Sequence, residues 1–372
     1  MPSVTLTPEE TNRYSRHLIL PEIGLAGQQK LKEAKVLVIG AGGLGCPVLQ
    51  YLTAAGVGTI GIVDFDRVEE SNLQRQILFS VPDVGRLKAE VAQEKLKTQN
   101  PYVHLISYPV HLQPQNALEL LAGYDLVIDG SDNFATRYLV NDACVILKKP
   151  LVFGSIFKFE GQISVFNYQG GPTYRCLYPE ASELASCSEV GVLGVLPGLV
   201  GCLLANEAIK VITGLGEIAA GKLLVLNALT LQFNTYSFGV NPMNLSITEL
   251  PMEASLCEEP ITDISFPDLL HKLQSGERFT LLDVRETDEY LREHMGGKLY
   301  PLSALEQTWP AIPTNRPVVV HCQSGMRSKK ACRLLQAKGF TNLYNLAGGI
   351  NRLTPEERTQ LASHFTSPVA PQ

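Results

Sequence analysis

Six residues, Gly40-Ala41-Gly42-Gly43-Leu44-Gly45, follow directly on the apolar run 34–39 and lead into a helical pattern over 43–55. Glycines at the first, third and sixth places of such a loop let backbone amides approach a phosphate at the N-terminus of the following helix. Few architectures accommodate this. An apolar strand must feed a tight turn and the helix must return across a parallel sheet, which is the opening unit of a doubly wound fold. A second apolar run, 59–64, ends on Asp64, where a carboxylate can bond ribose hydroxyls. A nicotinamide cofactor would use the same parts, so the loop points to a nucleotide without naming its chemistry.

The pattern continues along the chain. Further strands are expected at 105–109, 125–129 and 151–153, then a meander-like pair at 162–167 and 223–227, with helices at 88–98, 114–121, 133–147 and 196–213. Over 241–262 the periodicity fades while Pro, Glu and Ser increase, and a second alternation follows with segments at 266–273, 279–284, 289–292, 317–320, 328–338 and 343–346. The expected fold class is α/β: a Rossmann-like doubly wound domain at 1–248, a linker at 249–262, a small α/β domain at 263–362 and a flexible tail at 363–372.

Composition narrows the function classes. The chain of 372 residues is 45% hydrophobic, enough for two or three cores. A net charge of -6 offers no electrostatic footprint for nucleic acid or an anionic membrane, and neither partner is expected. Residues 1–10 are polar and do not read as a signal peptide. The longest uncharged apolar stretch, 191–205, is broken by Pro197 and several glycines and is shorter than the about 20 residues of a bilayer span, so it reads as a buried helix. The eight cysteines are scattered, which suits reduced thiols and a cytoplasmic setting. Cys46, Cys144, Cys202 and Cys332 lie in apolar helical patterns and read as small buried hydrophobes.

The residues after Asp64 favour a triphosphate. Asp66, Asn72 and Arg75 follow within one loop, Lys88 opens the next helix, and Asp129-Gly130-Ser131-Asp132-Asn133 ends a later strand. Cations would hold phosphates and a carboxylate a Mg²⁺ ion, a set that a nicotinamide site does not need. Together with Arg13-Tyr14-Ser15-Arg16-His17, Glu160-Gly161-Gln162-Ile163 and Tyr174-Arg175-Cys176-Leu177, these motifs resemble the ubiquitin-activating-type adenylyltransferases, in the branch that activates sulfur carriers for molybdopterin and thiamin biosynthesis. The resemblance runs from about residue 12 to about residue 233. It implies a nucleotide site of Gly40, Gly42, Gly43, Gly45, Asp64, Asp66, Asn72, Arg75, Lys88, Asp132 and Asn133. Asp132 would hold Mg²⁺, and Arg16 would reach the phosphates of a second copy, which makes a homodimer. It further implies an acceptor thiol at Cys187, in the polar stretch before the apolar helix. Family members often carry two Cys-x-x-Cys pairs for zinc; here Thr173, Met243 and Ser246 stand where cysteines are needed, so no structural zinc is expected.

A second anion-cradling loop lies at His321-Cys322-Gln323-Ser324-Gly325-Met326-Arg327-Ser328, between an apolar strand and a helix. Loop amides, the helix N-terminus and the Arg327 charge would favour the Cys322 thiolate. With Leu282-Asp283-Val284-Arg285-Glu286, Glu289-Tyr290 and Leu346-Ala347-Gly348-Gly349, the region 264–351 resembles a rhodanese domain. Cysteine phosphatases also run a loop from cysteine to arginine but place the two one residue farther apart, to fit phosphate. Asp283 and Arg285 are expected to brace the loop.

The combined expectation is an ATP-dependent adenylyltransferase that activates the C-terminal carboxylate of a small ubiquitin-like sulfur carrier. Cys322 would take sulfur from thiosulfate or a desulfurase persulfide and deliver it to form a thiocarboxylate, with Cys187 as relay. Two alternatives stand beside it: a nicotinamide-dependent oxidoreductase with a thiol redox domain, and an adenylyltransferase whose rhodanese domain only docks partners.

Overall fold

The computed structural model describes residues 5–179, 191–250, 261–314 and 316–365. The chain divides into two compact units, 1–252 and 253–372.

The first unit is built on an eight-stranded sheet: β1 (Lys35–Ile39), β2 (Thr59–Val63), β3 (His104–Tyr108), β4 (Leu126–Asp129), β5 (Leu151–Phe157), β6 (Glu160–Phe166), β7 (Lys222–Asn227) and β8 (Gln232–Ser237). Their spatial order is β3-β2-β1-β4-β5-β6-β7-β8, parallel from β3 to β5 and antiparallel beyond. Both faces of the central strands β1, β2 and β4 are covered, which is why these read as nearly unbroken apolar runs, whereas the edge strand β3 buries only Leu105. Val36 and Val38 enter one core with Ile60, Ile62 and the helix residues Leu49 and Leu52, while Leu37 and Ile39 enter the other with Val127 and Phe153. Each such fully buried aliphatic side chain contributes about 1.5–3 kcal/mol relative to exposure.

Helix Leu196–Thr213 is long and apolar enough to cross a membrane by length and composition. In this fold it is a core helix: Leu196, Val200, Leu204, Ala205 and Ala208 are buried among the residues of the first core. Cys202, on the same helix, is exposed, which corrects the expectation that it is a buried hydrophobe; Cys46, Cys144 and Cys332 are buried. The apolar window concealed the outward face of the helix. Strand β8 and the N-terminal helices Pro8–Arg13, Ser15–Leu18 and Gly24–Glu33 had no counterpart among the expected elements.

The second unit holds β9 (Thr262–Ile264), β10 (Thr280–Asp283), β11 (Lys298–Leu299), β12 (Val318–His321) and β13 (Leu343–Leu346) in the order β11-β10-β12-β13-β9, all parallel. Strand β9 begins on the last residue assigned to the linker, and helix Pro355–Phe365 continues past the point where a flexible tail was expected. The linker residues 251–260 and the tail residues 366–372 lie outside the described residues.

Candidate functional site

In the first unit, sequence-consecutive windings leave the sheet in opposite directions from β1 and β4, and the loops after these neighbouring strands diverge into a crevice. The glycine loop forms one lip. The Gly40 N–H donates to the Val63 carbonyl at 2.8 Å, and its φ of +90° turns the chain sharply off β1. A side chain on Gly45 would run into the Gly40 carbonyl, so this glycine lets helix Gly45–Ala55 start directly against the loop. Gly42 is different: a Cβ there would meet only Gln76 Nε2, at 3.7 Å. Packing leaves that position open, so the Gly42 backbone is accessible to an approaching ligand.

Asp64 follows β2 and is buried, with Oδ2 accepting the Ala41 N–H at 2.7 Å and Oδ1 the Asp66 N–H at 2.9 Å. Burial pushes its carboxyl up, while Lys88 and these amides pull it down. Lys88 is buried and pairs with the half-exposed Asp66 at 3.0 Å. An ammonium held by an exposed carboxylate can exchange that partner for a phosphate at little cost. Asn72 is buried in a short turn, its Oδ1 accepting the Glu69 N–H at 3.4 Å, and Arg75 Nη1 donates to the Ser71 carbonyl at 3.1 Å.

The other lip follows β4. Asp132 and Asn133 are exposed, and Asn133 caps helix Phe134–Leu147 by accepting the Thr136 N–H at 2.8 Å. Three residues absent from the expected set lie close by. Asp129 is fully buried, with Oδ1 accepting the Ser131 N–H, and burial pushes its carboxyl up against the pull of Arg137. Arg137 is buried over the Phe134 and Phe153 rings and donates to the Ser131 carbonyl at 3.2 Å. Asp129 Oδ2, Ser131 Oγ, Arg137 Nε and, across the crevice, Gln76 Oε1 have no hydrogen-bond partner among the described residues. Buried polar atoms left unsatisfied in one place are what a site built for a polar ligand presents.

Arg16 is exposed on helix Ser15–Leu18, beside the exposed Ile19 and Leu20. Cys187 lies outside the described residues. Cys176 is half-exposed, and its sulfur accepts from the Asn241 N–H at 3.3 Å, the Thr173 N–H at 3.4 Å and Asn244 Nδ2 at 3.6 Å. Burial raises its pKa, but the Thr173 hydroxyl, at 3.4 Å, together with these hydrogen bonds outweighs burial and leaves it lowered. Among the described residues no three His, Cys, Asp or Glu side chains gather as a metal cluster. For Mg²⁺ brought in with a triphosphate, one or two carboxylates and the phosphates themselves suffice, and Asp132 with the unpartnered Asp129 oxygen fits that requirement.

In the second unit β12 lies in the middle of the sheet and delivers Cys322 to its C-terminal edge. The helix that follows, Met326–Ala337, begins two residues before the expected start. Gly325, at φ +89°, closes the loop, and its N–H donates to Cys322 Sγ at 3.2 Å; Ser328 Oγ lies at 3.4 Å. One amide and one hydroxyl thus reach the sulfur. Behind the loop, a side chain on Gly349 would strike the Cys322 carbonyl, which explains the Gly348-Gly349 pair. Ile350 and Asn351 N–H groups donate to the carbonyls of Cys322 and Gln323 at 3.0 and 2.9 Å.

Asp283 and Arg285 form a buried bidentate pair, with Nη2 to Oδ2 at 2.7 Å. Arg285 Nη1 then reaches Gln323 Oε1 at 3.3 Å, so the expected brace acts on the loop through Gln323. Arg327 does not sit free over the sulfur. Its Nη1 and Nη2 donate to both oxygens of Glu289, at 2.6 and 2.7 Å, and these bonds hold the Glu289 carboxyl down to about 2.

His321, the residue before Cys322, is fully buried, and neither ring nitrogen makes a hydrogen bond among the described residues, although Nε2 lies 3.8 Å from Asp283 Oδ2. Burial lowers its pKa from 6.5 to about 4, with Asp283 opposing. Its folded pKa is below its unfolded one, so on acidification the unfolded chain takes up the proton first. Stability is therefore full above pH 6.5 and is lost as pH falls toward 4. Trp309, the single tryptophan, lies in this unit and reports on it alone. The expected result is a melting midpoint by Trp309 fluorescence that declines across this window and flattens in His321→Gln; an unchanged slope in the variant assigns the acid sensitivity elsewhere.

Comparison with known proteins matches residues 14–244 to the ThiF family and residues 266–355 to the Rhodanese-like domain. A probable adenylyltransferase/sulfurtransferase, MoeZ of Mycobacterium tuberculosis, is 45% identical over 368 residues, 94% of each chain. The sulfur carrier protein adenylyltransferase of Thermus thermophilus is 54% identical over 244 residues, 63% of this chain and 90% of its own. The crystal structure of Escherichia coli MccB with ATP is similar at a TM-score of 0.56 and 25% identity, over 62% of this chain and 73% of that one.

Proposed function

This chain belongs to the ThiF family, carries a rhodanese-like domain and is an adenylyltransferase joined to a sulfurtransferase; from that premise we propose that it activates a small ubiquitin-like sulfur carrier and loads it with sulfur. The carrier's terminal carboxylate attacks the α-phosphorus of ATP, pyrophosphate leaves, and the acyl adenylate now holds AMP, the leaving group that a carboxylate lacks. The glycine loop and the Gly45–Ala55 helix N-terminus take the phosphates, and Asp64 the ribose. Lys88, Arg75 and Asn72 turn to the triphosphate, joined by Arg16 from a second copy in a homodimer. Mg²⁺, held by Asp132, supplies charge neutralisation on the triphosphate when bound. No zinc enters this reading, because Cys176 lacks the cysteine partners such a site requires.

Cys322, once persulfidated by thiosulfate or by a desulfurase persulfide, attacks the acyl carbon through its outer sulfur and AMP leaves. A thiol, Cys187 or a free cellular one, then attacks Cys322 Sγ and releases the thiocarboxylate, forming a disulfide with Cys322. The observation that carries the proposal is the presence in one chain of a nucleotide crevice with unpartnered polar atoms and a cysteine loop of sulfur-accepting length. Exposed Phe157, Phe159, Leu229 and Leu231, on the tips of hairpins joined by the Ala228 N–H to Phe159 carbonyl bond, support carrier docking at that end of the sheet. Co-purification with ATP and Mg²⁺, followed by intact mass of the bound small protein, tests it: an adenylate without donor and a thiocarboxylate with donor are expected. A bound carrier that never gains AMP overturns it.

A further inference from the structure

The charge at the mouth of the cysteine loop differs from what its sequence suggests. Arg327 is the one cation inside the loop's span, yet both terminal nitrogens of its guanidinium are taken by the Glu289 carboxylate. The pair is firm: 35% and 27% of the two side chains are exposed, and Glu289 Oε2 also accepts the Glu286 N–H at 3.1 Å, which fixes the carboxylate on helix Thr287–Arg292. The second cation near the loop, Arg285, is likewise neutralised, by the buried Asp283. Both of these guanidiniums are therefore balanced by carboxylates. A dianion approaching Cys322 must displace Glu289 or bind beside it, and beside it the repulsion of two negative groups opposes binding.

We infer that Glu289 is a specificity-determining residue of the sulfurtransferase reaction, one that disfavours dianionic donors such as thiosulfate and directs the loop to donors of lower charge such as organic persulfides. The inference rests on the reading of Cys322 as the sulfur acceptor. With thiosulfate, the Cys322 thiolate attacks the outer sulfur, the new S–S bond forms as the bond to the sulfite sulfur breaks, and sulfite leaves with the electron pair. The persulfide keeps one negative charge and sulfite carries two, so charge balances and no external oxidant is needed. Glu289 takes no part in the bond changes; it acts by occupying Arg327.

The experiment uses the full chain with cyanide as acceptor and compares thiosulfate with the monoanion methanethiosulfonate. Glu289→Gln keeps the shape and removes the charge. It should raise kcat/KM for thiosulfate about fivefold, the upper range for a partly solvated ion pair, mainly through KM, with a smaller gain for the monoanion. In the Glu289→Gln/Arg327→Gln double variant kcat/KM for thiosulfate should fall below that of Glu289→Gln alone, since the cation freed by the single substitution supplies the gain. Equal gains for both donors, no gain, or a loss in a variant with an unchanged Trp309 melting curve overturns the inference. Glu289→Ser gives a second test, and if both variants unfold, Glu289 is a structural brace and the inference falls. If the wild-type protein gains no sulfur mass on Cys322 from either donor, the sulfurtransferase reading itself has failed and takes the inference with it.

Discussion

Asp132→Ala is expected to lower carrier-dependent exchange of pyrophosphate into ATP by at least about a hundredfold, the scale on which a charge-stabilising group in a preorganised site contributes. The argument starts from the sheet. Reversal of the strand order between β1 and β4 opens the crevice, and the end of β4 supplies Asp129 and Asp132, whereas Asp64 and Asp66 after β2 are already engaged by the Ala41 amide and by Lys88. Asp129 is buried, and one oxygen is committed to the Ser131 amide, whereas Asp132 is exposed at the rim. Removing an exposed rim carboxylate should leave the fold intact, so an unchanged melting curve must accompany the loss. Mixing Asp132→Ala with Arg16→Ala protomers extends the test. If Arg16 serves the site of a second copy, some mixed dimers keep one complete site and part of the activity returns. No recovery at all argues that Arg16 acts within its own chain or not at all, and exchange near the wild-type rate in Asp132→Ala removes this residue from the metal site.

The parts of this molecule that were legible from sequence are those in which local pattern and burial coincide. The central parallel strands β1, β2 and β4 place residues in both cores, so they are apolar almost throughout. The glycine loop was legible because Gly40 and Gly45 are required by backbone geometry that no other residue meets. Strand β8 was not: all six of its residues are exposed, and it is held by its backbone pairing to β7, which leaves no alternation to read. Strand β9 is only three residues long and is set by pairing to β13, with Asn345 Nδ2 donating to Asp263 Oδ1 across 82 positions. The same limit applies to the sites. Motifs single out Asp64, Lys88, Asp132 and Cys322 as candidates, but the neutralisation of Arg327 by Glu289 spans 38 residues and becomes visible only in three dimensions. Asp129 stands in a motif the sequence offers, but its unpartnered oxygen, like the unpartnered atoms of the buried Gln76 and Arg137 side chains, is a property of packing that sequence does not display.

Cys322→Ala should abolish sulfur transfer from thiosulfate to cyanide and thiocarboxylate formation from that donor, while adenylation survives. Within the loop Cys322 is the only thiol, the Ser328 hydroxyl donates to it, and Cys332 on the following helix is buried with its thiol pushed up to about 12 by that burial. The two activities separate because the residues that would carry them belong to different compact units, each with its own sheet and cores. Arg327→Ala tests the loop's electrostatics. It keeps the thiol, removes the cation and leaves the Glu289 carboxylate uncompensated at the mouth, so a loss of about tenfold or more on an anionic donor is expected from a charge-assisted interaction of that strength. Cys187→Ala should spare the cyanide assay and slow only transfer to the carrier. Full thiosulfate activity in Cys322→Ala would end the sulfurtransferase role of this loop and return the domain to a docking function. Wild-type thiocarboxylate formation in Cys187→Ala, measured without added thiol, would make the relay dispensable. A different thiol would then cleave the acyl disulfide that the Cys322 persulfide forms with the carrier.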